Sequence, residues 1–209
     1  MKIPEIKPGL ILHKETNSYI YANSLEFPST THISIVDEYG NALSMTSTIE
    51  SSFGSRLMTN GGFLLNNELT DFSFQKEKKG KRVANNIEPN KRPRSSMAPT
   101  IIFKNDKPLF IIGSPGGSNI IGYVVNSIIG LIDWKMNVQQ AASIPHGINK
   151  FGTFYLEKNS KISLLKKQLE KKGYKVKLKK FYSGLNIIQI KKKLFGGSDH
   201  RREGVAIGY

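Results

Sequence analysis

The sequence predicts an α+β protein, a layered α/β fold whose sheets are largely antiparallel. Three observations predict it. Pairs of alternating segments joined by turn residues fill the first half, so hairpins outnumber β-α-β crossovers. One long helical period, Ile120, Ile121, Val124, Val125, Ile128, Ile129 and Ile132, occupies the middle. Strand-like runs return towards the C-terminus. The 209 residues are enough to bury a core, and 38% hydrophobic residues exclude wholesale disorder.

Each element follows in order. Residues 1–29 hold Pro4, Pro8, Gly9 and Pro28 and no period, which reads as a tail or tether before a domain spanning 30–209. Residues 31–36 (THISIV) and 42–49 (ALSMTSTI) alternate around Asp37-Glu38-Tyr39-Gly40-Asn41, a β-hairpin with Ser44, Thr46 and Thr48 on one face. Residues 51–62 read as loop, and Phe63-Leu64-Leu65 is a short apolar run. The basic stretch 75–94, with Gly80, Pro89 and Pro93, reads as an exposed loop. Residues 100–103 and 109–112 form a second hairpin around Asn105-Asp106-Lys107-Pro108. Gly113-Ser114-Pro115-Gly116-Gly117 leads into a helix over 118–132 with Ser118 as N-cap. A short helix over 138–143 follows, then one over 160–172 with Ile162, Leu165 and Leu169 as its stripe and Gly173 as its stop. Strands are expected at 174–178, 187–190 and 205–207, with no further domain boundary and no internal repeat.

Several functions are excluded early. There is no cysteine, hence no disulfide, thiol nucleophile or iron–sulfur cluster. There is no P-loop, no dinucleotide fingerprint after a strand and no G-x-S-x-G elbow. His13, His32, His146 and His200 lack ligand spacing and read as loop or surface histidines, so no metal or cofactor is expected. The apolar stretch 120–134 is interrupted and shorter than the roughly 18 residues of a span, and the first residues contain no signal-peptide core. The formal charge of +15 points to anionic partners, but solvated lysine faces explain it more simply. Nucleic acid is disfavoured because the basic runs 76–94 and 161–193 lack interleaved aromatics suited to stacking.

The positive signal is a set of hydroxyls, glycines and carboxylates. A threonine hydroxyl needs a base beside it to act as a nucleophile. Thr30 acquires one if the chain is cut at Ser29–Thr30, because a free α-amine has a pKa of about 7.7–8.0 and is neutral in about one molecule in ten at pH 7. The plain alternative is a β-branched strand starter. The glycines at 113–117 allow backbone N–H groups to converge on an oxyanion, or else make a tight turn. Asn66, Asn67, Glu68 and Asp71, with Ser95 and Ser96, offer acceptors for an ammonium and donors for a carboxylate, or serve as caps and loop serines.

Together, TTHISIVDEYGNALSMTSTIESSFG (30–54), LLNNELTDFSF (64–74), NKRPRSSMAPTI (90–101) and GSPGGSNII (113–121) resemble the small, C-terminal subunit of the γ-glutamyltranspeptidase family of N-terminal nucleophile hydrolases. The resemblance implies a four-layer αββα sandwich, here mainly the small-subunit half. It implies autocleavage between Ser29 and Thr30, then attack by Thr30 on a γ-glutamyl amide such as glutathione, with transfer to water or an amine. Thr48 matches the residue that orients the nucleophile, and Gly116 and Gly117 the oxyanion hole. Glu68, Asp71, Ser95 and Ser96 match the residues that hold the glutamyl ammonium and carboxylate. It also implies a large subunit supplying the rest of the sandwich and an arginine, and a periplasmic or extracellular setting if that subunit is exported. Glu50 departs from the asparagine of the best-known members and resembles branches with poly-γ-glutamate enzymes, so another acyl donor stays open, as does an inactive fragment. Arg94 stands in place of a typical leucine, and His146 in place of an arginine.

Overall fold

The computed structural model describes residues 19–20 and 29–208, so most of the expected tail at 1–29 lies outside the described residues. In chain order the strands are β1 (Tyr19–Ile20), β2 (Thr31–Val36), β3 (Ala42–Ser47), β4 (Glu77–Lys78), β5 (Lys81–Val83), β6 (Thr100–Lys104) and β7 (Lys107–Gly113). Helices α1 (Ile120–Ile132) and α2 (Val138–Ala142) follow. Next come β8 (Gly147–Lys150), β9 (Thr153–Glu157), α3 (Lys166–Lys171), β10 (Lys175–Lys179), β11 (Asn186–Ile190) and β12 (Leu194–Ser198). They fall into two compact units, one of Tyr19–Ile144 with Tyr182–Tyr209 and one containing Pro145–Phe181.

The larger unit is built in layers. Its main sheet runs β12-β11-β7-β6, antiparallel throughout. Opposite faces of this sheet meet different neighbours. A Cβ on Gly197 would strike the Val138 backbone of α2, so Gly197 and its cross-strand neighbours Ile187 and Ile112 face the helices. Gly113, one residue beyond Ile112, faces the imidazole of His32 on the β2–β3 hairpin. The order is therefore helices, main sheet, hairpin. Ile111, Ile112, Ile120, Tyr123, Leu185 and Ile187 are buried between these layers. α2 begins with a capping box, Asn137 accepting from Gln140 N and Gln140 Oε1 accepting from Asn137 N.

The hairpin is inverted relative to an ordinary half-buried pair. Its hydroxyls face the main sheet: Ser44 Oγ donates to Ile112 O at 3.0 Å and accepts from Thr100 N at 3.1 Å. Asn186 Nδ2 donates to His32 O at 3.1 Å. The apolar side chains Ile33, Ile35, Leu43 and Met45 lie on the other face, 43–47% exposed. Asp37 shapes the turn by accepting from Tyr39 N and Asn41 N.

The smaller unit is a three-stranded sheet, β10-β9-β8, with β10 parallel to β9 and α3 on β10. Leu156, Val176 and Ile148 are buried in it.

Several sequence expectations are corrected. Residues 205–207 form no strand; the last strand is β12, which the Gly196-Gly197 pair concealed. The β8–β9 hairpin was not foreseen, because its turn is Phe151-Gly152, with φ 50° and 79°, rather than an Asn-Gly or Asp-Gly pair. The helix expected from Ser118 starts with a 3-10 turn over Gly117–Asn119, and no side chain caps α1. The helix expected over 160–172 is a 3-10 turn, Lys161–Leu165, followed by α3, and Leu165 is 44% exposed. Within the basic stretch 75–94, β4 and β5 pair and β5 also pairs with β1, so residues 19–20 are strand rather than tether. Val83 and Asn86 in that stretch are buried. His146 is fully buried and His32 is enclosed in the interlayer, whereas His200 is exposed as expected. His13 lies outside the described residues.

Candidate active site

Thr30 immediately precedes β2 and is 5% exposed. Its Oγ1 lies 3.3 Å from the Oγ1 of Thr48, just beyond the end of β3 on the same face. Thr48 Oγ1 also accepts from Glu50 N at 2.9 Å, which fixes its lone pair and leaves its own O–H directed elsewhere. Glu50 adopts φ +72°, a left-handed conformation that turns the chain sharply after Thr48. Ser29 Oγ donates to the Glu50 carbonyl, so the residue before the candidate scissile bond is docked on the same turn.

These groups open into a small cleft whose lining includes Thr30, Thr48, Glu50, Glu68, Asp71, Arg94, Ser95, Ser96 and Gly117. Eight of the nine residues singled out for catalysis and binding therefore share one cavity. Gly116 is the exception. It holds φ +138° in the strand-to-helix turn, where a Cβ would strike the Tyr123 ring, and its carbonyl accepts from Asn119 N.

Carboxylate oxygens of Glu50, Glu68 and Asp71 lie within 4.8 Å of one another. Three convergent acceptors suit one cation, and an ammonium has three donors to match. Burial, with the Asp71 charge second, pushes the Glu68 carboxyl above its ordinary range. The carboxylates are brought together by asparagines. Asn67 accepts from Ser51 N at 2.9 Å, donates to Ser51 Oγ and Thr70 Oγ1, and its N–H bonds Ile49 O. Asn85 donates to Asp71 O at 2.6 Å and accepts from Arg94 N at 3.1 Å, tying Asp71 to the loop that carries Ser95 and Ser96.

Sequence reasoning missed a second support. Arg202 donates to the carbonyl of Thr30 at 3.2 Å and to Tyr182 O at 3.1 Å. Its turn is fixed by Asp199, 2% exposed, which pairs with Arg201 at 2.9 Å and accepts from Ser183 Oγ. Arg201 also donates to Ile144 O. The signal available was the charged run Asp199-His200-Arg201-Arg202-Glu203 in the otherwise uncharged segment 194–209.

The gamma-glutamyltranspeptidase family matches residues 7–209. The chain belongs to that family. A glutathione hydrolase proenzyme of Escherichia coli is 36% identical over 216 residues, covering 98% of this chain and 35% of that protein. The chain thus spans about a third of that relative's length. A crystal structure of a threonine-to-alanine mutant of Helicobacter pylori gamma-glutamyltranspeptidase matches with TM-score 0.73 and 40% identity, over 82% of this chain and 100% of that one. An acivicin-inhibited gamma-glutamyltranspeptidase, whose structure is described as revealing critical roles for its C-terminus in autoprocessing and catalysis, matches with TM-score 0.73 and 41% identity, over 83% and 100%. The fold is the α/β fold of N-terminal nucleophile hydrolases, as the sequence implied.

Proposed function

We propose that this γ-glutamyltranspeptidase-family chain catalyses γ-glutamyl transfer and hydrolysis through Thr30, freed by cleavage at Ser29–Thr30, in company with a large-subunit region. The observation that carries this reading is the pairing of the buried Thr30 hydroxyl with that of half-buried Thr48, opening into the cleft that holds three carboxylates and two serines. In the first step the Thr30 oxygen attacks the Ser29 carbonyl carbon. The C–N bond breaks, the hydroxyl proton ends on the Thr30 nitrogen, and an ester remains. Water hydrolyses the ester, leaving a carboxylate on Ser29 and an α-amine on Thr30. That amine then takes the Thr30 hydroxyl proton as the oxygen attacks a γ-glutamyl amide, and the departing amine receives it. Water or a second amine releases the glutamyl group.

Glu50, Glu68 and Asp71 take the substrate ammonium; Ser95 and Ser96 take its carboxylate. On this reading the developing oxyanion is stabilised by backbone N–H groups of the Gly116–Gly117 turn, each donor worth about 3–4 kcal/mol. The large-subunit region covers the apolar face of the hairpin and adds a strand at β2, whose second edge has no partner among the described residues. The compartment follows that region, periplasmic or extracellular where it carries an export signal.

The test is co-expression of this chain with a large-subunit region. The expected outcome is a mass loss matching residues 1–29 and glutamate release from glutathione, both abolished by Thr30→Ala. Cleavage elsewhere, or turnover surviving Thr30→Ala, overturns the mechanism. Glu50 favours a second reading, in which the preferred donor is poly-γ-glutamate or another acyl amide; a donor screen decides between the two.

A further inference from the structure

The imidazole of His32 lies where three parts of the site meet. It is one alternation along β2 from Thr30, opposite Thr46 on β3, and against Gly113 at the end of β7. Nδ1 is 2.8 Å from Thr46 Oγ1, and Nε2 is 3.1 Å from Ser34 Oγ. A neutral imidazole has one N–H and one lone pair, so one hydroxyl accepts from the ring while the other donates to it. Burial lowers the His32 pKa to about 4, which keeps the ring in that neutral form near pH 7. A Cβ on Gly113 would collide with Nδ1, Cε1 and Nε2 of the ring. The imidazole therefore occupies the space that any side chain at 113 would need. On one side of it stands the hairpin carrying Thr30 and Thr48; on the other begins Ser114-Pro115-Gly116-Gly117.

We propose that His32 is a positioning residue, a spacer of fixed thickness that sets the separation between the Thr30–Thr48 hydroxyl pair and the backbone N–H groups of the Gly116–Gly117 loop. The proposal rests on the reading of Thr30 as nucleophile. Oxyanion donors act only when they stand about 2.7–3.1 Å from the position the oxyanion will occupy. A displacement of about 1 Å costs roughly 100-fold in rate. His32 does not line the substrate cleft, so its removal changes the chemistry and leaves substrate binding alone.

The experiment uses the chain with its large-subunit region and measures kcat per titrated Thr30 N-terminus, together with KM. His32→Ala is expected to lower kcat about 10- to 100-fold with KM changed less than about twofold. Gly113→Ala, which forces the same gap apart, is expected to do likewise. The double variant is expected to recover kcat relative to the product of the single effects, because the new methyl enters the space the ring vacated. His32→Gln, with one donor and one acceptor, keeps more of kcat than His32→Ala. A purely structural role predicts a lower Tm and less cleaved protein at unchanged kcat per titrated site; that result, or strictly multiplicative effects in the double variant, overturns the proposal. If Gly113→Ala does not fold, the comparison of His32→Ala with His32→Gln decides. A wild-type chain that neither cleaves before Thr30 nor turns over a γ-glutamyl donor sinks the functional reading and this proposal together. An active wild type with His32→Ala at the same kcat sinks only this proposal.

Discussion

Glu50 couples two tasks in one residue: its left-handed backbone presents an N–H to Thr48, and its carboxylate joins Glu68 and Asp71. Asparagine tolerates positive φ better than most residues, so Glu50→Asn separates the tasks. The turn and the Thr30–Thr48 pair are expected to persist while the cation site loses one charge. A substrate screen then reads a shift of donor preference towards glutathione, and unchanged preference counts against a donor-selecting role. Glu68 carries a pH signature. Its folded-state pKa is raised, so it takes up a proton at higher pH than an exposed glutamate. Its contribution to stability is present below the ordinary glutamate value and lost as pH rises through the raised one. The ammonium grip proposed for it runs the opposite way, because only an ionised carboxylate holds an ammonium. KM for a γ-glutamyl donor is therefore expected to rise as pH falls through the raised pKa, and Glu68→Gln to flatten that limb. A limb unchanged in Glu68→Gln assigns it elsewhere.

The elements act through clamps rather than through their regular parts. Asn67 holds residues 49–51 against the 3-10 turn Glu68–Asp71 with four hydrogen bonds. Asn67→Ala leaves Ser51 N–H unpaired, a loss of about 1–3 kcal/mol for each group so orphaned. The expected result is a raised KM with a smaller change in kcat, since Glu50 drifts from Glu68 and Asp71 while Thr30 stays at the start of β2, held through its carbonyl by Arg202. Steady-state kinetics with a melting curve checks it, and an effect on kcat alone refutes it. The clamps explain which parts of the site the sequence revealed. Thr30, Thr48, Glu68, Asp71 and the two serines stand in the stretches that carry the family resemblance, so their gathering in one cleft was legible. Asn85 and Arg202 were not, because an asparagine in a loop or an arginine in a tail has no spacing rule to betray its partner. The fold shows the same division. Alternation announced β2 and β3, yet period 2 cannot tell which face is buried, and here the hydroxyls turned inward. Gly196 and Gly197 hid β12, because the glycines serve the close approach of α2 and Ala206 rather than strand propensity.

At the scale of the whole larger unit, helices, main sheet and hairpin supply three layers, and the outer face of the third leaves its apolar side chains 43–47% exposed. Ile33, Ile35, Leu43 and Met45 lie side by side there because cross-strand register pairs Ile33 with Met45 and Ile35 with Leu43. α1 adds an exposed stripe of Ile121, Val125 and Ile132, beside Trp134. Contiguous apolar faces of this kind mark association surfaces, and a charge of +15 supplies repulsion that salt screens. The isolated chain is therefore expected to self-associate, and more strongly as salt is raised, the opposite of what a charge-driven assembly does. Light scattering across a salt series measures this. Replacing Ile33 and Met45 together by threonine keeps β propensity while removing apolar surface, so the variant is expected to be less associated alone and to bind a large-subunit region more weakly. A wild-type chain that stays monomeric at high salt, or a double variant that pairs with the large-subunit region at full strength, shows that this face is not the proposed docking surface.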